Sequence, residues 1–250
     1  MGLWAPVAVD PAWRVRYRSS SKSWAQCPVG DAGRIPFENR PQVRERHRFH
    51  GAGSKRGWYY FAKSRDLKWC ESRFEMRVLR LLDHDPDVVA VAVQPFVLHY
   101  RNEAGRASHT PDVFVRHRDG TGGVVDARPA QFAEKADFLR QRAATQAACS
   151  AAGWSYDVCT GVDPTIEANI DWLAAYRHEP VDPLGCARDV LAACAEPRRL
   201  GDLVAAFPPP ALTRPVIAHL LWTGRLVADL SVPLSDASRL SAAATEAHAR

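Results

Sequence analysis

The chain has 250 residues, 46% of them hydrophobic, enough to bury a core as one large domain or two small ones. No run approaches about eighteen apolar residues, and Met1-Gly2-Leu3-Trp4-Ala5-Pro6 lacks the basic and apolar regions of a leader, so the sequence predicts neither a membrane helix nor secretion. The net charge of +5 conceals an asymmetry: residues 1–69 hold 14 Lys/Arg against 5 Asp/Glu and five of the eight tryptophans, whereas the remainder holds 19 against 23. A basic, aromatic-rich segment beside an acidic one points to a polyanion as partner.

Residues 1–48 are rich in Arg, Pro and Ser. Alternation over 13–18 predicts an edge strand, 30–48 predict an extended arm or loop, and the basic segment 1–48 is expected to order on binding nucleic acid. Residues 49–61 predict a hairpin with a Gly/Ser/Lys turn containing Lys55 and Arg56. A helix over 72–83 carries Phe74, Val78, Leu81 and Leu82 at i, i+4, i+7, i+8. Short β-rich runs follow at 88–93 and 95–100, then a turn at Gly105. Strands at 113–117 and 123–128 are joined through Asp119-Gly120. An alanine-rich helix over 131–152 ends at Gly153, a strand covers 154–160, and Asp163-Pro164 caps a helix running to about 177. This order predicts an α/β fold, a mixed sheet flanked by helices. Beyond 180, three short helices at 184–195, 200–207 and 212–222 precede a possible small wing at 226–233, which predicts a separate winged-helix-like module. There, Arg214, His219 and Arg225 are candidates to face phosphate, with a docking domain that makes no DNA contact as the alternative. The six cysteines form no CxxC pair and read as reduced thiols of a cytoplasmic protein rather than zinc ligands or disulfides.

Four residues concentrate the chemistry. Asp112, in His109-Thr110-Pro111-Asp112, enters a strand; Asp126 and Arg128, two apart on the next strand, share a face; Glu75 lies on the helix before them. Each has an ordinary structural explanation. Asp112 suits a turn after Pro111, Asp126 and Arg128 suit a buried ion pair, and Ser72-Arg73-Phe74-Glu75 matches a capping box. Together they supply what a phosphodiester-cutting metal site needs, two or three carboxylates and a cation. Glu71, one turn before Glu75, is a weaker candidate on the same face.

The arrangement resembles the PD-(D/E)xK nucleases, whose restriction-endonuclease-like core has a helix acid, a strand Asp and then acid-x-Lys on the neighbouring strand. The stretches 71–75, 81–88, Gln94-Pro95-Phe96, 109–112, 125–129 and 164–173 further resemble the TnsA family over roughly 50–178, the endonuclease subunits of heteromeric transposases. The resemblance implies Mg²⁺-dependent cleavage of one strand of double-stranded DNA at transposon ends, with Mn²⁺ substituting, and a nucleoid-associated cytoplasmic location. It also implies a DDE-type transposase subunit and an ATP-dependent regulator as partners. Glu75, Asp112 and Asp126 match the metal-site acids, and Arg128 stands where the family has lysine. Arginine cannot act as a general base but can clamp a phosphate. Lys55, Arg56 and Arg128 are the candidate DNA contacts. The expected organisation is a basic arm over 1–48, a catalytic domain over 49–180 and a helical domain over 181–250. The competing expectations are a catalytically decayed assembly subunit bridging transposase and DNA, and a stand-alone restriction or repair nuclease.

Overall fold

The computed structural model describes residues 8–44, 56–103 and 105–243. The described residues form two compact units, one from Met1–Leu79 and Asp87–Gly161, the other from Arg80–Pro86 and Val162–Arg250. In chain order the first holds β1 (Arg14–Arg18), β2 (Trp24–Pro28), β3 (Gly57–Phe61), β4 (Asp66–Cys70) and the start of helix α1 (Arg73–His84). Next come β5 (Val88–Val93), β6 (Val97–Asn102), β7 (Gly105–His109), β8 (Val113–His117) and β9 (Gly122–Ala127). Helices α2 (Ala130–Ala133) and α3 (Ala136–Ala152) lead to β10 (Ser155–Cys159). The chain is therefore mixed α/β.

Two four-stranded sheets organise this unit. One runs β2-β1-β6-β7 and is antiparallel throughout. The other runs β10-β9-β8-β5; its β10–β9 pair is parallel and the rest antiparallel. A parallel pair needs a crossover, and residues 128–154, with α2 and α3, provide it. The two sheets share one apolar core. Val15, Leu98 and Tyr100 come from the first sheet, Phe114, Val124 and Tyr156 from the second, and Ala144 and Ala148 from α3. Phe37 is fully buried, its ring 5.0–5.7 Å from those of Tyr17, Phe96, Phe114 and Trp154.

Several expectations change here. Residues 14–18 form an interior strand, because β2, a strand the sequence reading missed, pairs along one side while β6 pairs along the other. Residues 14–39, expected within an arm, supply Val15, Val29, Ala32 and Phe37 to the core. Strand β3 pairs with β4 across the turn at 62–65; the other half of the expected hairpin lies outside the described residues. The turn expected at Gly105 joins β6 to β7, with Gly105 opposite Asn102 at φ 111° as the first residue of β7. The helix expected over 131–152 breaks at Lys135, whose backbone is extended, and this places Phe132 and Phe138 on either side of the break.

The second unit contains the last turn of α1, α4 (Pro164–Leu173), α5 (Ala187–Ala193), β11 (Arg198–Arg199), α6 (Leu200–Ala206), α7 (Pro210–Trp222), β12 (Leu226–Val227) and β13 (Arg239–Ala242). The strands form a small sheet in the order β11-β13-β12. Leu173, Val190, Leu203, Ile217, Leu220, Leu226 and Leu240 build its core, with Leu81 packed against it. The buried Asn169 of α4 ties the loop between β12 and β13 in place: its Nδ2 donates to the carbonyls of Leu230 (2.9 Å) and Val232 (2.8 Å), and its Oδ1 accepts from the Leu234 N–H (3.0 Å). This unit takes up the chain from Val162, upstream of the boundary expected near 180.

Candidate active site

The β8–β9 register aligns Val113 with Val125 and so sets Asp112 directly across from Asp126. The contact is close. The Asp112 N–H donates to Asp126 Oδ1 at 3.3 Å, and the Ala127 N–H donates to Asp112 Oδ2 at 2.8 Å. Like charges directly opposed on adjacent strands destabilise a sheet. The effect shows at Asp112, whose carboxyl is pushed up to about 8 by burial first, then by Asp126 and Glu75. Asp126 is 2% exposed, yet both its oxygens have partners: His109 Nε2 lies 3.1 Å from Oδ1 and 2.9 Å from Oδ2, and the Tyr156 hydroxyl donates to Oδ2 at 2.8 Å.

Glu75 is near enough for its charge to raise both Asp112 and the buried Cys70, whose thiol is pushed up to about 12, chiefly by burial. Its carboxylate nevertheless turns back along α1. It accepts from the Glu71 N–H (2.8 Å) and the Ser72 hydroxyl (3.0 Å), while the Glu75 N–H donates to Ser72 Oγ (3.1 Å). Ser72 thus caps the helix as the sequence predicts, while the returning bond of the capping box comes from the Glu71 N–H rather than that of Ser72. Burial raises the Glu75 carboxyl, and its cap hydrogen bonds pull the other way.

Residues 85–161 match the family model for the TnsA-like endonuclease N-terminal domain. This segment is similar to TnsA-like endonuclease N-terminal domains. No curated protein matches the chain. The TnsA-like segment spans β5 to β10, so it includes Asp112, Asp126, Arg128, His109 and Tyr156; Glu75 and α1 up to His84 precede it.

Arg128 is half-buried and makes no ion pair with Asp126. Its guanidinium lies 4.8 Å from the Phe138 ring centre and 5.7 Å from that of Phe132, and its Nε donates to the Phe132 carbonyl at 3.4 Å. Arg44 supplies a positive charge that pulls down both Asp112 and Glu75, and it pairs with Glu71 at 2.5 Å. The sequence reading missed it, since position 44 lies in the stretch taken as an arm. Gln94 is also at the site: its N–H donates to the Asp112 carbonyl at 2.8 Å. It is fully buried with φ 46°, a strained conformation for a side-chain-bearing residue, and its Oε1 has no hydrogen-bond partner. Lys55 lies outside the described residues, and Arg56 is exposed just before β3.

Among the described residues, no three His, Cys, Asp or Glu side chains are grouped to hold a metal ion. The hydrogen bonds above explain this: Glu75 is turned to its cap, and Asp126 is held by His109 and Tyr156. The donor chemistry of Asp112 and Asp126 still suits a hard cation, because they are oxygen ligands crowded at a cost that a positive ion between them would remove. In the C-terminal unit, Arg214 is paired with Asp236 at the surface (2.8 and 3.0 Å), His219 Nδ1 donates to the Tyr176 carbonyl (2.8 Å), and Arg225 is exposed.

Proposed function

We propose that this chain is the DNA endonuclease subunit of a heteromeric transposase and hydrolyses one strand of duplex DNA at transposon ends with a divalent cation, Mg²⁺ or Mn²⁺ in its place. One observation carries the reading: within the TnsA-like segment, β8 and β9 set two carboxylates opposite each other, and Asp112 carries the cost of that proximity. Asp112 and Asp126 hold the ion. When bound, it supplies Lewis acidity toward the phosphate and acidifies water. His109 and Tyr156 fix the Asp126 carboxylate, and such hydrogen bonds to a metal-binding acid set its orientation. Glu75 joins the site by giving up its cap. Arg128 clamps phosphate rather than moving a proton.

The mixed sheet β10-β9-β8-β5 with α1 and α3 supports a restriction-endonuclease-like core. The order α5-β11-α6-α7-β12-β13 supports a winged-helix-like C-terminal module. Because Asp236 balances the charge of Arg214 and the half-buried His219 is bound to the Tyr176 carbonyl, we assign that module to docking on protein partners, a DDE-type transposase subunit and an ATP-dependent regulator. A second reading, a decayed assembly subunit, draws on the capped Glu75 and on arginine at position 128.

The test uses supercoiled plasmid carrying a transposon end, with Mg²⁺ or Mn²⁺ and the partner transposase. The wild type should nick the plasmid, and Asp112→Asn should lose nicking on the order of a thousandfold while binding DNA as before, as removal of an electrostatic centre does. Absence of nicking by the wild type under all these conditions, with activity gained by Arg128→Lys, would establish the decayed subunit instead.

A further inference from the structure

The outward face of the β2-β1-β6-β7 sheet takes no part in the site. Alternation sends Val15, Leu98 and Tyr100 into the core and turns Arg14, Arg16 and Arg18 of β1, Trp24 of β2, Arg101 of β6 and Arg106 of β7 outward. None of the four strands contains an Asp or Glu; Glu103, in the turn beyond β6, is the next acid along the chain.

Two details mark this face as more than a solvated surface. The β6–β7 register places Arg101 directly opposite Arg106, both exposed. That is the arrangement that destabilises a sheet unless an anion lies across the pair. On the neighbouring strands, Trp24 carries two guanidinium groups on one indole, Arg16 at 4.1 Å and Arg18 at 3.9 Å from the ring centre. Stacking holds a guanidinium flat and leaves its N–H edge for bidentate contact with phosphate. Among the described residues, Arg16, Arg101 and Arg106 sit in no ion pair. Four strands at about 4.8 Å spacing give a basic strip about 14 Å across.

We propose that this outward sheet face is a second contact surface for the phosphate backbone of double-stranded DNA, centred on Arg16, Arg101 and Arg106. It is separate from Asp112 and Asp126 and rests on the DNA reading above. The alternative occupant, an acidic protein, fits less well. A protein interface wants an apolar core depleted of charge, and this face offers arginines around one half-exposed indole; protein–DNA interfaces are polar and strongly positive. The contacts hold backbone and do not read sequence, so they fix how the duplex lies on the chain.

The test is fluorescence anisotropy of a labelled duplex of random sequence, in EDTA, across a salt series, comparing the full chain with Arg16→Gln/Arg101→Gln/Arg106→Gln. Each phosphate contact contributes about 0.9 to the slope of log affinity on log salt, so the triple variant should bind more weakly with a slope shallower by about 2.7. The matching triple lysine variant should keep the slope. Should the glutamine triple fail to fold, Arg101→Gln and Arg106→Gln singly should each remove about 0.9. Unchanged affinity and slope would overturn the proposal and leave the face to an acidic protein. The measurement needs neither metal nor cleavage. A protein that binds through this face but never cuts retires the nuclease reading alone, and one that cuts while the triple variant binds like wild type retires this face alone.

Discussion

Asp112 and Asp126 are opposed across β8 and β9 in the same way that Arg101 and Arg106 are opposed across β6 and β7. Each pair costs stability in the free protein, a cost that an ion of the other sign would relieve. At Asp112 the cost can be followed by pH. Its folded value of about 8 lies above the usual carboxyl value near 3.9, so the native state keeps a proton that the unfolded chain has released. The stability this confers is complete below about pH 4 and is lost as pH rises toward about 8. Thermal melts without metal should therefore show falling stability from pH 5 to 8.5, with a flatter slope in Asp112→Asn. Added Mg²⁺ should raise the melting temperature of the wild type near pH 8 and leave Asp112→Asn unmoved. Equal slopes in the two proteins would mean that Asp112 ionises freely. At this scale the sequence was informative where geometry follows local spacing, as at the Ser72–Glu75 cap, whereas the ion pair expected of Asp126 and Arg128 is not formed and Arg128 lies against Phe132 and Phe138. It gave no role at the site to His109 and Gln94, though both lie in motif stretches, and none to Tyr156 and Arg44; all four reach the acids through long-range pairing and backbone conformation. The capping reading of Glu75 and the metal reading compete for one carboxylate, and no local pattern decides between them.

At the scale of elements, hydrophobic period and turn chemistry located α1, β5, β8, β9, β10, α4 and α7 because each has a clear local signal. Asp163 illustrates this: it caps α4 by accepting from the Thr165 N–H at 2.7 Å, ahead of Pro164. Strand β2 had no such signal. Its burial alternates only weakly and it ends at Pro28, so pairing with β1 rather than its own residues makes it a strand. The turn at Val29–Arg34 is a further case of tertiary control. Gly33 packs so closely on the end of α3 that a Cβ there would overlap the Ala152 carbonyl, which is backbone and cannot swing aside. Gly33→Ala should therefore destabilise by about 1–3 kcal/mol, the usual range for forcing atoms into a packed site. Urea unfolding would check this, with Gly30→Ala as the control, since a Cβ there meets the Ala151 carbonyl only at 4.0 Å. A Gly33→Ala protein as stable as wild type would show that the turn and helix end can separate.

For the whole molecule, the basic N-terminal third combines two roles that composition alone had merged into an arm. Its outward side chains supply one half of the arginine face, the other half coming from β6 and β7, and its inward ones close the core shared by the two sheets. Charge is legible in a sequence, but which side of a strand carries it depends on what the strand pairs with, and β1 pairs with β6, some eighty residues later. This gives opposite expectations for a truncation. If residues 1–44 were an arm, deleting them would weaken DNA binding and leave the fold intact. In the structure the deletion removes Trp13, Val15, Val29, Ala32, Phe37 and Val43, all buried, and strips β6 of its partner on one side. The truncated protein should lose cooperative thermal unfolding and the near-ultraviolet signal of its packed aromatic rings. Phe37→Ala should show the same effect in milder form, about 3–5 kcal/mol, because its ring fills the space between Phe96, Phe114 and Trp154. A truncated chain that melts cooperatively with wild-type near-ultraviolet dichroism would return the segment to the status of an arm. It would also separate the arginine face from the fold that the site requires.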